Sequence, residues 1–209
     1  MELEMKYRIP DKDTADQIEH DAYLFSICDP SSREKVYMKA AYFDTEDHIL
    51  MQHDMAFRIR MEGQLIVASL KWNGVSHHGL HSREEINVPV NDEACFLKPD
   101  PLIFIESGPG QHLMELIGDK SLVSVLEISF LRTKMRADTG DCICEVAIDV
   151  GEIITDAGNE PIMELEIELF SGEESCIEMI GSKLAEAYNL EPEDKTKYAR
   201  GLRLAGLIQ

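Results

Sequence analysis

The stretch MELEIELF, residues 163–170, places three glutamates two positions apart and fills the intervening positions with apolar residues. Successive side chains of a β-strand point to opposite faces, so this segment predicts a strand with one acidic and one apolar face. Neighbouring carboxylates on that acidic face lie about 7 Å apart. At an effective dielectric constant near 20, each such pair costs roughly 2 kcal/mol. A solvated sheet face or a bound cation would relieve the repulsion.

The composition limits the classes of protein that the chain can represent. Its 209 residues can form a complete hydrophobic core, and we expect a single domain over residues 1–209. The formal net charge of −20 argues against binding to nucleic acid or to an anionic membrane, which would both repel it. No segment approaches the run of about 18 apolar residues that a membrane helix needs.

Two further features favour a cytoplasmic protein. The first predicted strand begins at Glu2, which leaves no room before it for a signal peptide. The cysteines show no zinc-binding spacing and, being five, cannot all pair, so we expect reduced thiols that pack as small apolar residues. They are Cys28, Cys95, Cys142, Cys144 and Cys176.

Alternation of polar and apolar residues predicts eight strands. They cover residues 2–9, 36–44, 55–62, 65–72, 83–90, 126–137, 142–150 and 162–170. Turn-forming residues separate several of them, namely Gly63-Gln64, Asn73-Gly74, Thr139-Gly140-Asp141 and Gly158-Asn159. Helical patterns occupy residues 11–26, 110–118, 172–189 and 195–206, and residues 91–110 form a loop.

Seven of the eight predicted strands carry ionised groups on one face and mostly apolar groups on the other. A half-solvated sheet is one interpretation. The charges are dense, however, and acids and bases are segregated on different strands. Eight antiparallel strands can also close into a barrel that holds side chains or one small ligand. We therefore predict an α+β, mainly β fold: an eight-stranded antiparallel β-barrel tunnel with a charged interior, covered outside by α-helices.

The alternation assigns both signs of charge to the barrel interior. The predicted inward-facing bases are Lys6, Arg8, Arg58, Arg60, Lys71, Arg83, Arg132, Lys134 and Arg136. The predicted inward-facing acids are Glu2, Glu4, Glu62, Glu85, Glu145, Asp149, Glu164, Glu166 and Glu168. Clustered carboxylates suit Mg²⁺ or Mn²⁺, and clustered bases suit phosphate oxygens. Together they indicate phosphoryl chemistry assisted by a divalent cation.

Several motifs, in this order along the chain, resemble those of one family. They are ELEMK (2–6), YFDT (42–45), FRIR (57–60), SLKW (69–72), GLHSREEINV (79–88), LRTKMR (131–136), EVAIDVGEI (145–153), EPIMELEIELFSG (160–172) and KYARG (197–201). The first is the Glu-x-Glu-x-Lys pattern of the CYTH superfamily, the triphosphate tunnel metalloenzymes. The chain is most similar to the bacterial inorganic triphosphatase branch.

The resemblance implies an eight-stranded tunnel and an enzyme that hydrolyses a triphosphate with Mg²⁺ or Mn²⁺. Inorganic tripolyphosphate is the expected small-molecule substrate, and the protein is expected to be a monomer or homodimer. A class IV adenylyl cyclase, which converts ATP to cyclic AMP, is one alternative. A non-catalytic protein that binds polyphosphate or nucleotide is another.

The resemblance also implies roles for individual residues. The expected metal ligands are Glu2, Glu4, Glu166 and Glu168, with Glu164 and Asp149 as helpers. The expected substrate-binding residues are Lys6, Arg58, Arg60, Lys71, Arg83, Arg132, Lys134, Arg136, Lys197 and Arg200. The candidate catalytic residues are Lys6, Glu85 and Glu145; the two glutamates either position water or hold the bases in place. The histidines of SHHGLH (76–81) fall in a predicted turn, where we expect no metal.

Overall fold

A computed structural model describes all residues from Met1 to Gln209. Its strands are β1 (Glu2–Arg8), β2 (Glu34–Thr45), β3 (Ala56–Glu62), β4 (Leu65–His77), β5 (Leu80–Val90), β6 (Leu122–Asp138), β7 (Cys142–Thr155), β8 (Gly158–Gly172) and β9 (Glu191–Pro192). The strand order is β5-β4-β3-β2-β6-β7-β8-β1, and β1 pairs with β5 to close the sheet. Every pairing is antiparallel. The predicted eight-stranded antiparallel barrel is therefore confirmed.

Six helices accompany the barrel: α1 (Lys12–Glu19), α2 (Ala22–Ile27), α3 (Ile49–Gln52), α4 (Gly108–Ile117), α5 (Glu174–Tyr188) and α6 (Lys197–Leu204). Side-chain caps fix where several of them begin, because a cap accepts a hydrogen bond from an otherwise unpaired backbone N–H. Asp11 caps α1, Ser107 caps α4 and Thr196 caps α6. Short 3₁₀ turns at residues 93–96 and 101–104 lie in the predicted loop 91–110.

The outward, apolar strand faces are covered by two groups of helices. Helices α1, α2 and α5 bury one cluster against β1, β6, β7 and β8. Helices α3 and α4 bury another against β2, β3 and β4. Helix α5 approaches β1 closely at Gly181, where an added Cβ would stand 2.6 Å from the ring of Tyr7. The alternating pattern thus places its apolar half under helices, as predicted.

Helix α6 differs because it packs on the inner side of the barrel. Its Tyr198 and Leu202 join a buried cluster with inward-facing residues of β2, β6, β7 and β8. Tyr198 stacks on Tyr42 of β2, with ring centroids 4.7 Å apart and planes inclined by 18°. This packing holds the first turn of α6 against one end of the barrel interior.

The predicted turn at Asn73-Gly74 is wrong. Strand β4 continues through these residues to His77, and the pairing register with β5 shifts between Trp72 and Val75. Asn73 has φ of 52°, a left-handed conformation that Asn tolerates, so this residue forms a bulge rather than the hairpin turn. The hairpin turn itself lies at His78 and Gly79, which have positive φ values of 51° and 81°.

The cysteines correct the expectation of an entirely reduced chain. Cys142 at the start of β7 and Cys176 on α5 form a disulfide. Cys28, Cys95 and Cys144 are free, and Cys95 is only partly buried. Neither the spacing nor the number of the cysteines reveals this pair, because its two members lie 34 residues apart and meet only when α5 packs on the barrel. None of the helices has both the length and the apolar character needed to span a membrane.

Candidate active site

A cavity of about 280 Å³ occupies the barrel interior beside the first turn of α6. Its walls are formed by inward-facing strand positions two residues apart. The alternation seen in the sequence therefore places the charged side chains in this cavity. The predicted site residues that line it are Glu2, Glu4, Lys6, Arg58, Arg60, Lys71, Arg83, Arg132, Glu166, Glu168 and Lys197.

Two arginines of β3 form a basic wall with unused donors. Arg58 donates from Nη2 to the Ser69 hydroxyl at 3.1 Å, and Arg60 lies 3.4 Å from a Glu62 oxygen. The Nε atoms of Arg58 and Arg60 are both buried without any hydrogen-bond partner. The neighbouring Arg58, burial and Arg132 lower the pKa of Arg60 to about 10. Buried donors without acceptors, on positively charged groups, make this wall a receptor for an anion.

An acidic wall is formed by the facing strands β1 and β8. Burial, together with nearby Glu2, Glu4 and Glu145, raises the pKa of Glu168 to about 7. Burial also raises the pKa of Glu4, and the ammonium of Lys6 at 2.8 Å only partly opposes that rise. Glu168 makes no salt bridge to any base. The wall therefore holds more negative charge than its bases neutralise.

Glu2 has a different environment on the same wall. Its carboxylate accepts a hydrogen bond from Lys71 Nζ at 2.6 Å. Burial alone would raise its pKa, but Lys71, Arg58 and Lys6 outweigh burial and lower the pKa to about 2. Glu2 therefore remains ionised and belongs to both the acidic and the basic walls.

Glu166 lies among bases rather than among free carboxylates. It forms ion pairs with Lys6, Arg132 and Lys197, the last at 2.7 Å. Burial alone would raise its pKa, but these three bases hold the pKa well below its usual range. The predicted ligand Glu166 thus serves, in this conformation, as the counter-ion of three predicted phosphate-binding residues.

A second set of ion pairs lies behind the cavity, where α6 meets β7 and β8. Asp149 and Glu164 are both 0% exposed. Lys197 contacts Asp149 at 2.9 Å and Glu164 at 2.6 Å, and Arg132 binds both oxygens of Asp149. Arg200 pairs with Glu164 and donates to Glu160 at 2.6 Å. These contacts attach α6 to the barrel wall.

No group of three or more His, Cys, Asp or Glu side chains is arranged to hold a metal ion. The chemistry of the acidic wall nevertheless fits a hard divalent cation, because every available donor is a carboxylate oxygen. Burial and the neighbouring carboxylates raise the pKa of Glu168 to about 7, and this residue pairs with no base, so a cation would stabilise its charged form. Glu2, Glu4 and Glu168 are the residues that would hold it, because they line the cavity, whereas Asp149 and Glu164 lie behind it and pair with Lys197.

The profile of the CYTH domain matches residues 1–202. The chain belongs to the CYTH domain family. It is 32% identical over 139 residues to an inorganic triphosphatase from Haemophilus influenzae; the match covers 66% of this chain and 38% of that relative. The chain thus spans well under half the length of that CYTH relative.

Solved structures share the CYTH fold at lower identity. One is an adenylyl cyclase candidate from Hippeastrum, described as having a dominant triphosphatase activity. It has a TM-score of 0.73 and 19% identity, covering 100% of this chain and 98% of that one. Another is an adenylate cyclase candidate from Bacillus halodurans, with a TM-score of 0.58, 17% identity and 96% coverage of both chains. At these identities the likeness concerns the fold alone.

Several predicted residues of the CYTH barrel lie outside the cavity. Arg136 is exposed and makes no salt bridge, and Arg8 is exposed with its guanidinium on Glu193, so neither reaches the cavity. The alternation gives the face of a strand but not the height along the barrel, and Arg136 lies two residues beyond Lys134 on the face that also carries Arg132. The other predicted residues that do not line the cavity are Glu62, Glu85, Lys134, Glu145, Asp149, Glu164 and Arg200.

Three of these residues, Glu62, Lys134 and Glu145, form a charged cluster next to the cavity of the CYTH barrel. Lys134 pairs with Glu62 at 2.8 Å and lies 4.0 Å from Glu145. Burial raises the pKa of Glu145 despite nearby Lys134 and Arg132. Glu85 binds Lys71 at 2.9 Å, which fits the expectation that it holds a base in place.

Sequence reasoning missed several cavity residues that carry no full charge or lie outside the strands. Tyr42 and Tyr198 form an aromatic part of the wall, Lys195 directly precedes the N-cap Thr196 of α6, and His81 is buried. The His81 ring Nε2 lies 2.7 Å from the carbonyl oxygen of Glu193 and so fastens the segment that leads into α6. Tyr42 and His81 occupy inward strand positions and stand in the motifs YFDT and GLHSREEINV, but the charge pattern assigned them no role.

Proposed function

We propose that the protein hydrolyses inorganic tripolyphosphate to pyrophosphate and phosphate, with Mg²⁺ or Mn²⁺ as cofactor. One observation carries the proposal: Arg58 and Arg60 expose partnerless buried donors to the same cavity that Glu168 lines with an unneutralised carboxylate. An anion alone would satisfy the arginines and leave the carboxylates repelled. A phosphate chain together with a divalent cation satisfies both walls.

The size of the cavity supports a compact substrate. Its volume of about 280 Å³ lies just below the roughly 300–1,000 Å³ typical of small-molecule sites. About half of the residues in its wall are charged, and the apolar part is formed mainly by Tyr42, Tyr198, Phe130 and Ile128. An inorganic phosphate chain needs no apolar surface for an organic group.

The relatives support the same reaction class. The Haemophilus influenzae relative is an inorganic triphosphatase, and the similarity to this chain is 32% over 139 residues. The resemblance to triphosphate tunnel metalloenzymes supports the use of a divalent cation. The match covers 38% of that relative, so the likeness concerns only part of it.

Each wall has a separate task in the proposed reaction. Arg58, Arg60 and Lys71 bind phosphate oxygens and neutralise the charge that spreads over them in the transition state. Glu2, Glu4 and Glu168 hold the cation. When bound there, the cation supplies further charge neutralisation and lowers the pKa of a bound water.

Glu166 has a task that the sequence did not suggest. It keeps Lys6, Arg132 and Lys197 together before substrate arrives, since three bases in one buried place repel each other. Phosphate oxygens can take over these bases when the substrate binds. Lys6 also contacts Glu4, so it joins the bases that would bind phosphate to a carboxylate that would hold the cation.

The test is phosphate release from tripolyphosphate, ATP and pyrophosphate in Mg²⁺, Mn²⁺ or EDTA, with the ATP reaction also analysed for cyclic AMP. The proposal expects rapid, EDTA-sensitive release from tripolyphosphate and little from pyrophosphate. Cyclic AMP formation would instead make the protein a cyclase. Tight binding of tripolyphosphate with no turnover in either metal would make it a binding protein.

A further inference from the structure

Ser69 connects the basic wall to a neutral residue behind it. The side chain lies on the inner face of β4 and is 0% exposed. Its Oγ accepts a hydrogen bond from Arg58 Nη2 at 3.1 Å and donates one to Asn87 Oδ1 at 2.6 Å. Both functions of the hydroxyl are therefore used, and both neighbours lie on adjacent strands in register with it.

The connection continues from Asn87 to the acidic wall. Asn87 Nδ2 donates to Glu85 Oε1 at 2.7 Å, and the other oxygen of Glu85 lies 2.9 Å from Lys71 Nζ. The same ammonium donates to Glu2 at 2.6 Å. A single chain of polar contacts thus crosses β3, β4, β5 and β1, from the phosphate-binding arginine to a carboxylate of the proposed cation site.

The amide of Asn87 fixes which groups donate and which accept along this chain of polar contacts. An amide can accept from Ser69 on one side and donate to the Glu85 carboxylate on the other. A carboxylate of the same shape keeps the acceptor, loses the donor and places a second negative charge beside Glu85. Asn87 therefore matches its two neighbours in a way that an isosteric aspartate does not.

This chain of polar contacts also orients the side chain of Arg58. Ser69 holds Arg58 through Nη2, and the Nε of the same guanidinium has no partner. The planar group presents its donors in a fixed fork, so fixing one nitrogen restricts the direction of the others. A side chain oriented before binding loses less rotamer freedom when the anion arrives.

We propose that Ser69 and Asn87 are positioning residues for the anion site: they hold the Arg58 guanidinium with its Nε free for a phosphate oxygen and tie it to Lys71 and Glu2. The inference rests on the proposed function, because it assumes that a phosphate chain is the anion. It adds two uncharged residues to the site, neither of which touches the substrate.

The test measures tripolyphosphate binding by calorimetry in EDTA, where neither metal nor turnover contributes. Ser69→Ala is expected to weaken binding about 10-fold, in line with the loss of a hydrogen bond to a charged group. In an Arg58→Ala background the same substitution is expected to weaken binding by less than about twofold, since contacts in one network are not additive. Ser69→Thr, which restores the hydroxyl, is expected to recover most of the affinity.

Two further variants distinguish a specific loss of binding from a loss caused by misfolding. Asn87 is exposed, so Asn87→Asp is expected to keep the melting temperature while weakening tripolyphosphate binding several-fold. Ser129→Ala is the matched control, because Ser129 bonds to the exposed Tyr37 and does not line the cavity. It is expected to bind like the wild type.

The outcomes separate the two proposals. If the wild type binds tripolyphosphate and Ser69→Ala causes the same loss with and without Arg58, the positioning role is overturned and the proposed function stands. Unchanged binding in both Ser69→Ala and Asn87→Asp overturns it in the same way. If the wild type binds no tripolyphosphate in EDTA, the inference fails; the proposed function fails with it only if Mg²⁺ and Mn²⁺ also give no phosphate release from tripolyphosphate.

Discussion

Glu4 on β1 and Glu168 on β8 are direct partners across an antiparallel strand pair, with like charge on both sides. Glu145 on β7 is the partner of Glu168 on its other side. Lys6 contacts Glu4, but no base contacts Glu168. Of the three glutamates in MELEIELF, Glu164 and Glu166 are paired with bases. Only at Glu168 does the repulsion between carboxylates remain without a neutralising base.

Glu168→Gln is expected to separate stability from activity. Like charges directly opposite on a sheet are destabilising, so removing one should raise the melting temperature in EDTA by about 2–4 °C, which corresponds to about 1 kcal/mol at this size. The same change should abolish metal-dependent phosphate release, because it removes a proposed ligand. Calorimetric melting and phosphate assays measure the two effects. Glu186→Gln, on the exposed side of α5, is the control and should change neither.

The same residue predicts a pH dependence of stability. Burial and neighbouring carboxylates raise the pKa of Glu168 from 4.5 to about 7, so the folded state binds this proton more tightly than the unfolded state. The resulting stabilisation is complete below 4.5 and is lost as the pH rises through 7. In EDTA, the melting temperature of Glu168→Gln should exceed that of the wild type at pH 8 and approach it at pH 5. A constant difference across this range would contradict the assignment.

Arg58→Ala and Arg60→Ala are each expected to raise the KM for tripolyphosphate about 10- to 100-fold, since hydrogen bonds to charged groups contribute roughly 1.5–3 kcal/mol. Lysine at either position should restore charge but not the planar pair of donors, and should recover only part of the loss. Initial rates at saturating metal measure the effect. The exposed Arg203→Ala should keep the wild-type KM. An unchanged KM in both cavity variants would exclude the basic wall from substrate binding.

Lys197→Ala is expected to be strongly destabilising. It leaves Asp149 and Glu164, both 0% exposed, with fewer counter-ions. Removing one partner of a buried charge network typically costs about 3–5 kcal/mol. Chemical denaturation in EDTA should show a loss of this size, and Lys98→Ala, at an exposed position, should show none. A loss below about 1 kcal/mol would mean that water reaches these carboxylates.

The cysteines should differ sharply in reactivity. Burial raises the pKa of Cys28 to about 11 and that of Cys144 to about 12, so neither forms thiolate at pH 8. Cys95 is only partly buried and should be the one thiol alkylated in the native protein. Mass spectrometry should count one label in the native protein, three after denaturation and five after reduction. Five labels without reductant would contradict the Cys142–Cys176 disulfide.

The sequence predicted the barrel because alternation is a local property that each strand carries by itself. It also predicted which residues face inward for most strands, including Glu2, Glu4, Arg58 and Arg60. It did not predict heights along the barrel axis, which depend on the stagger between strands. Lys134 and Arg132 share one face of β6, yet Arg132 lines the cavity and Lys134 pairs with Glu62.

The partners of the charged residues were equally hidden. Glu166 and Glu168 are two positions apart in one motif, but three bases surround the first and none contacts the second. Those bases come from β1, β6 and α6, so only the closed barrel brings them together. Ser69 and Asn87 stand in the motifs SLKW and GLHSREEINV, but a charge pattern assigns no role to neutral side chains.

The closure of the barrel by β1 has a consequence for how the protein forms during synthesis. Lys6 meets Glu166 across 160 residues of chain, so the acidic wall of the cavity depends on the first and last long strands. During synthesis, one edge of β1 has no partner until β8 has emerged from the ribosome. Such contacts of high sequence separation fold slowly. A nascent chain therefore cannot capture phosphate or metal early, and the site appears only as the barrel is completed.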